Sequence, residues 1–195
     1  IVIRDLVCLG REDFLAKYNF DKNHHAYDSL VGIRIQGNVQ CLVLLLSYVE
    51  FILSHKLKKI NHGLFQAIDN FTFLYFTVCH KRANRVEQLY SRYAIKISKE
   101  GNDVSDVNMH IDKFIDELKK NVPSKAEFDE EFSGSMIYKH RKYCSYLLAR
   151  LEMAESTGEL HIDWEKVNID HLLPQNSLRV SKQDIDENDY KIYEE

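Results

Sequence analysis

Apolar residues recur along most of the chain at intervals of three and four, the spacing that lines one face of an α-helix. A short helix is expected around Glu12 to Tyr18. Gly32, Gly37 and Asn38 then mark a break, with Asn38 a suitable N-cap for the next element. Residues 39–57 are apolar nearly all round, which predicts the central helix of a bundle rather than a surface one. A second aromatic-rich helix is predicted over 64–80, with Phe65, Ile68, Phe71, Leu74, Tyr75 and Val78 inward. Residues 83–99 give the cleanest amphipathic pattern, with Val86, Leu89, Tyr90, Tyr93 and Ile97 on one face and Gly101 as its end. Ser105 is expected to cap the following helix, whose stripe is Val107, Ile111, Phe114, Ile115 and Leu118. Pro123 breaks the chain, and Ser124 with Glu127 has the spacing of a capping box. The last long helix is predicted over 137–155, with Cys144, Leu147, Leu148, Leu151 and Ala154 inward and Gly158 as its stop. Beyond it, residues 167–174 read as a short strand closed by Pro174, and an acidic tail follows from Ser181 to Glu195.

Composition sharpens this picture. Only 7 Gly and 2 Pro in 195 residues leave few of the turns an all-β chain needs. The expected fold class is therefore all-α, a bundle of roughly six or seven helices with at most a small strand pair near residue 167. Its core is expected to include Leu44, Leu45, Phe51, Phe71, Leu74, Tyr90 and Leu148. The texture divides the chain into a helical domain, residues 1–158, and a distinct C-terminal piece, residues 159–195. Cys8, Cys41, Cys79 and Cys144 are far apart and form no CxxC pair, as expected of free thiols in a cytoplasmic protein. The opening Ile1-Val2-Ile3, without Met or signal peptide, is expected to lie inside a longer protein. The apolar run from Val39 to Leu53 carries Ser47 and Glu50 and falls short of the ~20 residues a bilayer requires, so no membrane partner is expected.

Charge is unevenly distributed. Residues 54–100 carry 9 Lys and Arg against 3 Asp and Glu, whereas residues 101–195 carry 12 against 21. Lys81, Arg85, Arg92, Lys96 and Lys99 fall within a sector of roughly 60° at 100° per residue. Such a stripe suits a phosphate backbone, because each cation placed near a phosphate releases counterions. The same spacing also fits a solvated helix back whose long stems cover apolar neighbours. The aromatic run Phe65, Phe71, Phe73, Tyr75 and Phe76 fits a core stripe better than a base-stacking platform. His24 and His25 make no i, i+4 metal pair with a carboxylate, and His140, beside Arg141 and Lys142, reads as a surface residue.

Asp170 and His171 stand out from the apolar run Ile169-Asp-His-Leu-Leu-Pro-Gln175. On an extended strand adjacent side chains point to opposite sides. Strongly polar groups on an apolar strand require a reason, since burying them unpaired costs several kcal/mol. The run resembles an arrangement in HNH, or His-Me finger, nucleases, where the His takes a proton from the attacking water and the adjacent acidic residue helps hold one divalent metal. By itself the pattern Asp-His-x-x-Pro leaves a purely structural role equally open.

Three stretches together carry a resemblance: Asp69-Asn-Phe-Thr-Phe-Leu-Tyr-Phe-Thr-Val-Cys-His-Lys-Arg82 with Glu87 to Tyr90 and Tyr93-Ala94 after it, Tyr143 to Glu152, and Ile169 to Gln175. In order and spacing they resemble the C-terminal half of GmrSD-type restriction endonucleases, phage-defence proteins of bacteria and archaea. In that family a nucleotide-using N-terminal domain precedes a helical region and a C-terminal HNH, or His-Me finger, nuclease domain. The resemblance implies that His171 is the general base and Asp170 a ligand for magnesium or manganese. It also implies DNA as substrate and a nucleotide-using domain, in the same or a partner chain, as companion. The family's second nuclease half, with its Leu-Gly-Asn-Leu-Thr-Leu run and later Asn or His, has no counterpart after His171. The expectation is thus an incomplete ββα-metal motif, inactive alone and without bound metal. The alternative expectation is a non-catalytic helical module that binds DNA or a partner domain.

Overall fold

A computed structural model describes residues 25–57, 60–135 and 140–155. Among them there are seven helices and no strand, so the all-α expectation holds. The helices are α1 (His25–Gln36), α2 (Leu42–Ser54), α3 (His62–Thr72), α4 (Asn84–Glu100), α5 (Val104–Lys119), α6 (Lys125–Gly134) and α7 (Arg141–Glu155). Between α3 and α4 the helix widens into a π-type stretch, Phe73–Val78. The expected helix at Glu12 to Tyr18, the strand near residue 167, Cys8, Asp170 and His171 lie outside the described residues. The chain divides into two compact units, Ile1–Tyr146 and Leu147–Glu195, with the division falling within α7.

In the first unit α2 packs along α4 and α1 along α3, while α5 lies against both α3 and α4. One contiguous core results. Leu44, Leu45 and Tyr48 of α2 enter it with Tyr90, Tyr93 and Ile97 of α4 and with Ile111 and Phe114 of α5. The Phe114 ring sits 5.6 Å from Tyr90 and 5.5 Å from Tyr93, within the range of favourable edge and tilted aromatic pairs. The stripes read for α3, α4 and α5 are the buried ones, because these helices bury only one face. Phe65, Phe71 and Tyr75 are core residues, as expected of the aromatic run, with Phe73 and Phe76 half-buried. Leu44, Leu45, Phe51, Phe71 and Tyr90 of the expected core are buried, and Leu74 is half-buried.

Several local expectations need correction. The chain does not break at Gly32, which lies inside α1; a Cβ there would overlap the Asp69 carboxylate and the Tyr146 ring, so this glycine permits close packing. The N-cap of α2 is Cys41 rather than Asn38. Asn38 instead uses its Oδ1 to accept from Gln40 N and its Nδ2 to donate to Thr72 Oγ1, at 3.1 and 2.7 Å. The cap of α5 is Asp103, which accepts from Asp106 N at 2.9 Å, and not Ser105. Ser124 does cap α6, accepting from Glu127 N.

α2 ends before the predicted residue 57. Lys56 adopts a left-handed φ of 51°, and Leu57 N bonds Ile52 O while Lys56 N bonds Leu53 O. That is a Schellman ending built without glycine, which hides it from a sequence reading. Val43, at 42% exposure, shows that α2 also keeps a solvent-facing flank.

The inward face of α7 also differs. Leu148 and Leu151 are exposed, at 46% and 52%, whereas Ser145, Tyr146 and Ala149 are buried. Tyr146 donates its hydroxyl to Asp69 at 2.9 Å, and that polar bond orients the start of the helix. A hydrophobicity pattern alone selects the leucines instead.

Candidate functional site

Two polar assemblies stand out among the described residues of the first unit. The first is interior. Asp69 on α3 is fully buried, and its Oδ1 accepts from Gln36 Nε2 at 2.8 Å and from Tyr146 Oη at 2.9 Å. Thr77 Oγ1, in the π-type stretch, donates to Gln36 Oε1 at 3.1 Å and extends the seam. Thr72 Oγ1 donates to Ile68 O and accepts from Asn38. Asp69 and Thr72 are fully buried, whereas Gln36 and Thr77 are half-buried. Their role is to join α1, α3 and α7 in one register, since a buried carboxylate is tolerated only where donors surround it. Sequence reading placed Asp69 in a family signature but gave it no role. Its partners lie 33 and 77 residues away, so no local pattern reports them.

The second assembly is the outer face of α4. The turn before this helix is fixed by three bonds: Cys79 N to Leu74 O, Lys81 N to Tyr75 O, and Tyr75 Oη to Arg82 O. His80 takes a left-handed φ of 47° within it. Lys81 and Arg82 are thereby placed just ahead of α4, which starts at Asn84 with no side-chain cap. Cations beside an uncapped helix N-terminus oppose the helix dipole, and an anion there relieves both.

The stripe read from the sequence is thus four helical positions, Arg85, Arg92, Lys96 and Lys99, with Lys81 in the preceding turn. Lys81 pairs with Glu127 of α6, and Arg92 pairs with Glu117 of α5. The hydrogen bond to Glu127 holds the Lys81 ammonium above its ordinary pKa. Glu117 also accepts from Tyr93 Oη at 2.7 Å, and chiefly through that bond its carboxyl is held below the usual range. Burial, with the same carboxylate beside it, pushes the Tyr93 hydroxyl up to about 12. The Arg92 guanidinium and Lys96 ammonium lie 5.5 and 5.2 Å from the Tyr93 ring centre. Arg85 and Lys99 are exposed and form no ion pair among the described residues.

The remaining groups offer less. Cys41 is buried and its thiol is pushed up to about 12, while burial also raises Cys79; both are free. No group of three or more His, Cys, Asp or Glu among the described residues is placed to hold a metal. A concavity of about 550 Å³ opens beside Tyr48, Phe51, Asn61 and Asn108 and is lined by none of the five stripe cations. No helix among the described residues is long and apolar enough to cross a membrane.

The described residues thus define a helical unit with a cation-bearing face, joined to a separate C-terminal unit. Residues 122–195 match the family model of the GmrSD restriction endonucleases, C-terminal domain. The resemblance is borne out over that segment, which contains the stretches Tyr143 to Glu152 and Ile169 to Gln175; the Asp69 to Arg82 stretch lies outside it. No curated protein and no solved structure matches the chain.

Proposed function

We propose that the chain serves in a phage-defence DNA endonuclease that hydrolyses phosphodiesters with a divalent metal. The match of residues 122–195 to the restriction-endonuclease family carries this reading, because that segment holds Asp170 and His171 on the Ile169 to Gln175 run. In this reading His171 takes the proton from the attacking water, and Asp170 offers carboxylate oxygens to magnesium or manganese, the hard ions such a donor suits. The metal, when bound, stabilises the charge that develops on the phosphate. One carboxylate and one imidazole are too few to hold it, so further ligands complete the site, and the chain by itself is inactive or nearly so.

The helical unit has its own part in this reading. The α4 face that bears Lys81, Arg85, Arg92, Lys96 and Lys99 is the DNA-facing surface, and a nucleotide-using domain in the same or a partner chain is its companion. The cation-bearing, uncapped start of α4 supports an anionic partner there, because Arg85 lies in its first turn behind Lys81 and Arg82. The test is plasmid nicking by the chain and by a longer protein containing it, with magnesium, with manganese and with chelator. Metal-dependent nicking by the longer protein alone is the expected result. Its absence under every metal condition leaves the second reading, a helical module that binds DNA or a partner domain without cleaving.

A further inference from the structure

The cations of the α4 face are not equivalent. Arg85 and Lys99 stand free of ion pairs among the described residues, and Lys96 lies over the Tyr93 ring. Lys81 and Arg92, in contrast, each hold a carboxylate brought by a different element, Glu127 from α6 and Glu117 from α5. Those carboxylates occupy the position a phosphate oxygen would take.

The two acids are secured in different ways. Glu117 is fixed by both oxygens, one taking the Tyr93 hydroxyl and the other the Arg92 guanidinium. Glu127 sits in the first turn of α6, a helix that buries none of its side chains, lies against the π-type stretch Phe73–Val78 and stacks Phe128 on Phe132 within itself. With Glu87 of the first turn of α4, Glu127 places an anion beside the cations Lys81, Arg82 and Arg85 at the uncapped start of that helix. α6 also falls inside the segment that matches the nuclease family, while α4 falls outside it.

We propose that Glu117 and Glu127 are internal phosphate surrogates that withhold Arg92 and Lys81, so that the chain meets DNA with Arg85, Lys96 and Lys99 alone. This rests on the reading of α4 as the DNA-facing surface. Exposed ion pairs are weakly held, so freeing either cation adds a phosphate contact at small conformational cost. Each freed cation tightens binding about two- to fivefold and steepens the log–log salt dependence by about 0.9.

The experiment is a salt titration of duplex DNA binding by the full chain, read by fluorescence anisotropy. Glu117→Gln and Glu127→Gln are the test variants; Gln retains the acceptor oxygen for Tyr93. Glu130→Gln on α6 is the charge-matched control, being exposed and outside both pairs. Both test variants should bind more tightly and with a steeper slope, and the control should change affinity less than twofold with no change in slope. The gain from Glu117→Gln should vanish in an Arg92→Ala background, and that from Glu127→Gln in a Lys81→Ala background. In the unsubstituted chain Arg92→Ala should weaken binding far less than Arg85→Ala. Equal gains from control and test variants, or equal losses from Arg92→Ala and Arg85→Ala, overturn the proposal while the DNA-facing surface stands. If neither the chain nor any variant binds DNA, the surface itself is refuted and the proposal with it. Binding that appears only in the Gln variants supports both.

Discussion

Asp69 shows what a single residue does in this molecule. It is fully buried on α3, and it holds donors from α1 and α7 with one carboxylate oxygen. Removing the acceptor costs those donors their partner, at about 1–3 kcal/mol each where water does not replace it. Asp69→Ala should therefore lower the urea midpoint by an amount equivalent to several kcal/mol, and Asp69→Asn should cost less because its carbonyl still accepts. Equal stability of the Ala variant and the original chain would show that the seam contributes nothing. Glu117 gives a second residue-scale prediction. Its folded-state pKa is depressed, chiefly by the Tyr93 hydrogen bond, so its contribution is present above the unfolded carboxyl pKa of about 4.3 and lost as pH falls through the lower folded value. Urea unfolding between pH 7 and pH 3 should thus show a shallower acid limb for Glu117→Gln, with the two proteins converging at the lowest pH. A parallel displacement at all pH values would contradict the assignment.

Among the described helices, α6 is weakly anchored. It buries no side chain and depends on Ser124 for its N-terminal bond. Ser124→Ala should cost about 1 kcal/mol locally. Hydrogen exchange should quicken within residues 125–134 and stay unchanged in α3 and α4; global loss of protection would mean that α6 is integral to the core. The elements also show which features a sequence can report. α4 and α5 were legible because a helix that buries one face writes that face at a period of 3.6. α1 was not, because Gly32 reads as a break while its real function is close packing against Asp69 and Tyr146. α7 was misread in its facing because the bond that orients it joins residues 77 positions apart and competes with a leucine stripe. The cation stripe was legible for the same periodic reason as the core. Its pairing with Glu117 and Glu127 was not, since those acids come from other helices.

Across the whole molecule, the helical unit carries a cation face and a polar seam centred on the buried Asp69, while the segment 122–195 carries the family likeness and the Asp170–His171 pair. The central claim is that this pair performs the hydrolysis in a DNA endonuclease. Water at neutral pH supplies almost no hydroxide, so a positioned base is worth about 10²–10⁴ in rate. The decisive measurement is single-turnover cleavage of plasmid by the longer protein containing this chain, original against His171→Ala, with magnesium or manganese and with folding verified by circular dichroism. The account predicts cleavage slowed by about 10²–10⁴ with the helical signal intact. Cleavage at the original rate by folded His171→Ala protein would contradict it.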